Sequence, residues 1–317
     1  MRKRVTLLLM LACVICHAQL SQKTINAMTW GAKTKVTFLV VDYDGRSVSN
    51  ANIRIYWTYD YTNKTKKCSE KTSKDGMVVL EEKSRGTFTY FVEKGGYYKS
   101  QGEYSFDVRG ETRIKGGRWE PWNPTVKIVL KEKRNPIPMV ATAYLAGVPI
   151  AGKPLGYDLE AGDWTSPHGS GKTADIEITY NRVVTTNTIR RYKSTLSLAF
   201  PNPHNGCYVV KKEDFSAFDK PYEAEPPKER RVDFILDGTD EKIIVDDRLD
   251  ANEVLVFRIR TEVDDQGEIV KCHYGFIDGP FKFATGPAKR LRLKSVFNPL
   301  SLDRNLEWDG KGTRVRR

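Results

Sequence analysis

Apolar and polar residues alternate with a period of two through much of the first 130 positions. In Lys35–Asp42, Val36, Phe38 and Val40 fall on one side; in Asn52–Tyr61, Ile53, Ile55, Trp57 and Tyr59 do the same. Side chains point to opposite faces of a strand in turn, so this spacing buries one face of an extended chain and wets the other. Met77–Leu80, Thr87–Val92, Glu103–Val108 and Thr125–Leu130 are further β-rich runs. Turn residues separate them at Asp42–Gly45, Asp75-Gly76 and Gly95-Gly96. No segment carries a helical stripe. Six or seven short strands at this spacing predict a β-sandwich over 33–130.

A charged, then Pro-rich stretch follows Leu130, and 131–138 reads as a linker. Beyond it, 139–317 has strand signals at Asp175–Val184, Ser194–Phe200, Cys207–Lys211, Glu253–Arg260, Glu268–Ile277 and Leu291–Phe297. Asp219–Glu229, rich in Pro and Glu, reads as a loop, and Asp309–Arg317 as a frayed end. The expected class is all-β: an N-terminal sandwich, transthyretin-like or Ig-like, followed by a second β-rich, sandwich-like domain.

The first half carries a more specific pattern. Val36-x-Phe38-x-Val40-x-Asp42-x-Asp44-Gly45 leads into Val48, Ala51, Ile53 and Ile55; Asp75-Gly76 precedes Val78-Val79-Leu80; Gly86-x-Phe88-x-Tyr90-x-Val92 precedes Gly96-Tyr97. This resembles the carboxypeptidase regulatory-like domain, whose fold is a transthyretin-like β-sandwich. The resemblance implies a stability, adhesion or scaffold module attached to other domains, with no catalytic residues to carry over. The related hydroxyisourate hydrolases share the fold, but their catalytic His and Arg set has no equivalent here. From residue 19 to the linker there is no His at all. No family is recognised for 139–317.

Residues 1–18 read as a secretory signal. Arg2, Lys3 and Arg4 precede the apolar run Val5–Ile15, and Ala18 supplies a small residue for cleavage before Gln19. The alternative is lipid anchoring through Cys13, because Leu11-Ala12-Cys13 partly matches a lipobox, although Met10 stands where Leu is usual. Either route predicts an exported protein, periplasmic or extracellular. No later apolar run is long enough to span a membrane as a helix. Cleavage leaves Cys68, Cys207 and Cys272. One of three must stay unpaired, and Cys207 with Cys272 is the candidate disulfide.

The remaining motifs weigh against chemistry. Ser166–Thr173 has the Gly-Lys-Thr end of a phosphate loop, but Ser166 stands where its first Gly belongs and no apolar strand precedes it. It reads as a surface loop. His204, Cys207, Cys272 and His273 offer zinc-type ligands, yet adjacent strand residues face opposite ways, so no metal site is expected. Asp42–Gly45 lacks the twelfth-position acid of a calcium loop, since that position is Ile53. The acidic groups Asp246-Asp247, Asp250 and Glu253, and Asp264-Asp265 and Glu268, are close in sequence only, and Asp264–Gly267 reads as a hairpin turn. No cofactor and no catalytic residue are expected.

The loop tryptophans are the candidate contact residues: Trp119 and Trp122 in Gly116–Pro124, and Trp164 in Gly162–Pro167. The leading expectation is a non-catalytic structural or binding protein of the cell envelope, contacting a glycan or protein partner. The alternative is a secreted hydrolase with its active site in 139–317. Nucleic acid is not an expected partner, given export and the lack of an aromatic–basic RNA motif. The formal charge of +12 has a location: 19–134 holds 22 basic and 13 acidic residues, giving 22 − 13 = +9, whereas 135–317 holds 27 of each. The first domain can therefore face an anionic surface, or dock on the locally acidic stretch Glu223–Glu253 of the second half.

Overall fold

The computed structural model describes residues 25–26, 29–59, 62, 64–106, 113–186, 190–213, 215–283 and 290–316. The segment 1–18 read as a secretory signal, its expected cleavage point and Cys13 lie outside the described residues, as do Tyr61 and the end of the run Glu103–Val108. All the named elements are strands, so the protein is all-β. Two units are distinguished: Met1–Glu93 with Gln101–Ile128, and Lys94–Ser100 with Val129–Arg317.

The first unit is built from β1 (Ala32–Asp42), β2 (Asn52–Thr58), β3 (Thr65–Lys71), β4 (Met77–Ser84), β5 (Thr87–Glu93), β6 (Ser100–Ser105), β7 (Ile114–Lys115), β8 (Arg118–Trp119) and β9 (Thr125–Leu130). One sheet has the order β4-β1-β8-β7 with β9 also on β1, and the other the order β3-β2-β5-β6. The alternation places the core as read: Val36, Phe38, Val40, Ile53, Ile55 and Trp57 are fully buried. The sheets meet through aromatic edges, with the Phe38 and Phe88 ring centres 5.8 Å apart. Tyr59 departs from the pattern and is 41% exposed, because it lies beyond the end of β2. Strand β3 was not legible as a strand. Its residues are all exposed or half-buried, and its backbone pairing with β2 leaves no apolar signature.

The second unit contains β10 (Val140–Gly147), β11 (Leu155–Asp158), β12 (Asp163–Trp164), β13 (Ile176–Thr186), β14 (Arg190–Ala199), β15 (Gly206–Lys211), β16 (Arg231–Thr239), β17 (Ile243–Asp247), β18 (Glu253–Val263), β19 (Ile269–Asp278), β20 (Lys282–Phe283), β21 (Arg290–Phe297) and β22 (Arg314–Arg316). A seven-stranded sheet runs β15-β18-β19-β21-β10-β22 with β20 on β21, and a six-stranded sheet runs β12-β11-β13-β14-β16-β17. Tyr157, Tyr180, Leu196, Leu255, Phe257 and Leu293 belong to one core cluster. Val254, Val256, Tyr274, Phe276 and Leu306 form another. Strand β18 is buried on both faces, which is why Val254–Phe257 reads as a continuous apolar run rather than an alternation.

Two segments differ from expectation. The Pro-rich 131–138 is anchored within the second unit: the Glu307 carboxylate, 1% exposed, accepts the amides of Arg134 and Asn135 and the Tyr98 hydroxyl. Its Lys131 is buried, with Nζ 2.9 Å from Glu213. The tail expected to fray forms β22, which pairs in parallel with β10.

Candidate functional site

The three candidate contact tryptophans separate into two buried and one accessible. The residues between β7 and β8 are Gly116 and Gly117, with φ of 57° and 79°. Two left-handed residues between paired strands make a tight hairpin that only glycine adopts without strain. The hairpin fixes the alternation beyond it. Trp119 points into the sandwich, is 2% exposed, and donates its indole N–H to the Ser84 carbonyl at 2.9 Å. It is a core residue, not a loop contact; the signal was present in Ile114-Lys115-Gly116-Gly117-Arg118-Trp119, where a two-Gly turn sets Ile114 opposite Trp119. Trp164 is also 2% exposed and donates to the Tyr144 hydroxyl at 2.7 Å. Its ring stands edge-on to Tyr144 and Tyr157, so it too is corrected to core.

Trp122 is half-buried and remains accessible. Its loop is tied to β1: Thr37 donates its hydroxyl to Asn123 Oδ1 at 2.9 Å and its amide to the Pro124 carbonyl at 2.9 Å. The Glu120 carboxylate holds the loop internally, accepting the Trp122 amide at 2.8 Å and Arg118 Nε at 2.9 Å. Hydrogen bonding from Arg118 keeps the Glu120 carboxyl below the usual carboxylate range. The Arg118 guanidinium stands 5.2 Å from the Trp122 ring centre and the Lys35 ammonium 6.0 Å, within reach of cation–π attraction.

These residues share a solvent-facing sheet surface. Arg118 precedes the inward Trp119, so it points outward. Lys33 and Lys35 alternate with the buried Ala32, Thr34 and Val36 on β1. Lys33 pairs with Arg118 on one side and Lys83 on the other. Lys35 faces Glu81 across the strands, 3.7 Å apart. Arg118 and Lys35 thus flank an accessible indole, and Lys33 and Lys83 lie beside them in strand register. Such a surface can stack a sugar ring or other flat apolar face on Trp122 while Arg118 and the lysines meet an anionic group. The sequence named Trp122 but not Arg118, Lys33, Lys35 or Lys83; lysine alternating with inward residues on β1 was the available signal.

The other sequence motifs are placed elsewhere. Cys68, Cys207 and Cys272 are free thiols. Cys207 lies in one core cluster and Cys272 in the other, so the disulfide considered from the sequence is not made. In Ser166–Thr173, the amides that could cradle a phosphate are occupied by carboxylates: Ser170 N donates to Asp163 at 2.8 Å, and Lys172 N and Thr173 N to Asp158 at 2.9 and 3.1 Å. Asp158 also meets Arg260, which reaches Glu160 and the fully buried Asp175 side chain as well. This is an internal charge cage that pins 158–175 to β18. His168 and His204 are exposed in loops, and His273 is half-buried on β19 with Nδ1 3.2 Å from the Asn298 carbonyl oxygen. Among the described residues, no group of three or more His, Cys, Asp or Glu is arranged to hold a metal ion. Asp246 pairs with Arg248, and Asp264 caps its own hairpin through the amides of Gln266 and Glu268. No helix among the described residues is long and apolar enough to cross a membrane.

No family model matches the chain, and no curated protein does. Among solved structures, 3-chlorocatechol 1,2-dioxygenase from Rhodococcus opacus 1CP is similar at a TM-score of 0.27 and 12% identity, over 33% of this chain and 62% of that one. BcpA, the major pilin subunit of Bacillus cereus, is similar at 0.25 and 9%, over 90% and 98% of the two chains. The major pilin SpaD from Corynebacterium diphtheriae is similar at 0.26 and 8%, over 87% and 84%. The chain thus spans less than two thirds of the dioxygenase. Likenesses this low carry no argument about this chain.

Proposed function

We propose that the protein is an exported, non-catalytic binding protein of the cell envelope that holds an anionic glycan on the outward face of its first sheet. The observation that carries this reading is Trp122, accessible and flanked by the Arg118 guanidinium at 5.2 Å and the Lys35 ammonium at 6.0 Å. A sugar ring presents C–H groups that stack on an indole, and its carboxylate, sulfate or phosphate substituents suit the surrounding cations. The +9 excess of residues 19–134 gives the same domain a long-range attraction for polyanions. Export is read from the basic and apolar leader at 1–18. The carboxypeptidase regulatory-like reading of the first unit is supported by positive φ at Gly45, Gly76 and Gly96, the turn glycines of that pattern. The glycine-specific turns and the buried alternating positions agree with one another.

The test is titration of the purified mature chain with an acidic polysaccharide and with a neutral one of similar length. Binding to the acidic polymer is expected, weakening as salt rises from about 0.05 to 0.5 M because the screening length shortens. Trp122→Ala should reduce affinity about two- to tenfold, the loss of one stacked aromatic contact. Equal affinity in Trp122→Ala, or equal binding of the neutral polymer at all salt concentrations, overturns the reading.

A further inference from the structure

Within the second unit, three segments distant in sequence meet around a cavity of about 330 Å³, lined by Arg134, Tyr222, Glu223, Leu302, Arg304 and Glu307 among others. Hydrogen bonds between the segments fix its walls. The Leu306 amide donates to the Tyr222 carbonyl at 2.9 Å, the Ala224 amide to the Arg304 carbonyl at 2.8 Å, and the Asn305 side-chain amide to the Asn135 carbonyl at 2.7 Å. Two of the lining carboxylates are satisfied by N–H and O–H donors. Glu307 accepts the amides of Arg134 and Asn135 and the Tyr98 hydroxyl. Asp303 accepts the Asn305 amide at 3.0 Å and the Asn298 side-chain amide at 3.2 Å. The guanidiniums are held otherwise: Arg134 lies 4.0 Å from the Tyr222 ring centre, and Arg304 Nε donates to the Ala224 carbonyl. Among the described residues, neither arginine forms an ion pair with a carboxylate, and Glu223 forms none with a cation. Leu302 adds an apolar side chain that is 52% exposed. Its φ of 61° is a left-handed backbone that leucine adopts only under strain. Its amide, donating to the Cys272 carbonyl at 2.9 Å, helps hold it there.

We propose that this cavity binds a free apolar α-amino acid, with its carboxylate on Arg134 and Arg304, its ammonium on Glu223 and its side chain against Leu302. A guanidinium only donates, and its planar fork matches a carboxylate. Stacking on Tyr222 orients the Arg134 fork before a ligand arrives, which lowers the entropy lost on binding. The charges favour a zwitterion over a simple anion. Glu223, Asp303 and Glu307 outnumber Arg134 and Arg304, so the field of the site as a whole does not attract an anion. The groups left without an ionic or hydrogen-bonding partner of opposite charge are the two guanidiniums and the Glu223 carboxylate, and a ligand that carries both signs meets all three. The volume lies near the lower end of the roughly 300–1,000 Å³ of small-molecule sites, which suits a single residue rather than a chain. The exposed Leu302 accounts for an apolar ligand side chain, since it removes further apolar surface from water only when something covers it. This site is separate from the glycan reading: its residues belong to the second unit, and none of them takes part in the Trp122 surface.

The experiment is isothermal titration of the purified mature chain with L-leucine and with L-phenylalanine, up to about 10 mM of each. Binding of at least one of them at one site per chain is expected, with a dissociation constant of about 1 mM or below. Leucinamide lacks the carboxylate and N-acetyl-leucine lacks the ammonium, so each should bind at least about tenfold more weakly than leucine. Arg134→Gln should weaken leucine binding at least about tenfold while thermal unfolding stays unchanged, because the amide of residue 134, not its side chain, holds Glu307. Leu302→Gly should weaken binding severalfold while thermal stability holds or rises, because glycine takes the left-handed backbone without strain; a leucine with a purely structural role would not show that combination. Absence of binding by both amino acids, leucinamide or N-acetyl-leucine binding as tightly as leucine, or unchanged affinity in Arg134→Gln would each overturn the proposal.

Discussion

Replacing Trp119 and replacing Trp122 should have different consequences, although only Glu120 and Pro121 separate them. The Trp119 indole is 2% exposed. Its ring centre is 6.1 Å from Phe106, and it leaves so little room at Gly86 that a Cβ there would lie 2.7 Å from the ring. A buried tryptophan removes roughly 200 Å² from water, an upper bound of about 5 kcal/mol at 25 cal/mol per Å². Truncation to Ala in a packed site costs about 3–5 kcal/mol. Within that total, the hydrogen bond to Ser84 contributes about 1 kcal/mol. Trp119→Phe keeps most of the ring volume and loses the indole N–H, so about 1–2 kcal/mol is expected. The assay is amide hydrogen exchange of the peptide covering β1, whose slowest amides report opening of this unit alone. Exchange should quicken roughly 150- to 5,000-fold in Trp119→Ala, about 5- to 30-fold in Trp119→Phe, and less than about tenfold in Trp122→Ala. If Trp119→Ala changed the slowest amides less than tenfold, or Trp122→Ala matched it, the division into one core and one surface tryptophan would be wrong.

Burial pushes the Asp175 carboxyl above the usual carboxylate range, and the Arg260 guanidinium opposes that rise. A folded-state pKa above the unfolded value means that protonation favours the fold, so this group's contribution is greatest at low pH and falls as pH rises through the folded value. Arg260→Met leaves Asp175 buried without its cation and raises that pKa further. It should destabilise the second unit by about 3–5 kcal/mol near pH 7.5 and recover part of the loss at pH 5, measured by urea unfolding; an equal loss at both values counts against the cage. For the thiols, Cys207 is wholly buried, which pushes its pKa up to about 12, and Cys272 is 1% exposed, whereas Cys68 is half-buried. A disulfide-exchange reagent should therefore label Cys68 alone in the native chain and all three thiols in urea, with peptide mass mapping to assign them. Native labelling of Cys207 or Cys272 at the rate of Cys68 would refute the buried placement.

The sequence alone determined the fold class and the faces of the strongest strands. Val36, Phe38, Val40, Ile53, Ile55 and Trp57 were legible because one face of each strand is buried and the other wet, which leaves a period of two in the chain itself. The turns at Gly45, Gly76 and Gly96 were legible because a left-handed backbone selects glycine. Strands with no such contrast were not: β3 and β17 are exposed on both faces, so only backbone pairing makes them strands, and backbone pairing has no residue code. The tertiary structure alone decided which tryptophan reaches solvent, because the direction of Trp119 depends on a two-residue hairpin and that of Trp164 on a hydroxyl contributed by β10. It also decided the thiols and the charge cage. Cys207 and Cys272 read alike along the chain, yet pack in different core clusters, and Arg260 meets Asp158 and Asp175 across 102 and 85 positions of sequence. Local spacing records which face of a strand is wet; which distant residues share that face is a property of sheet order.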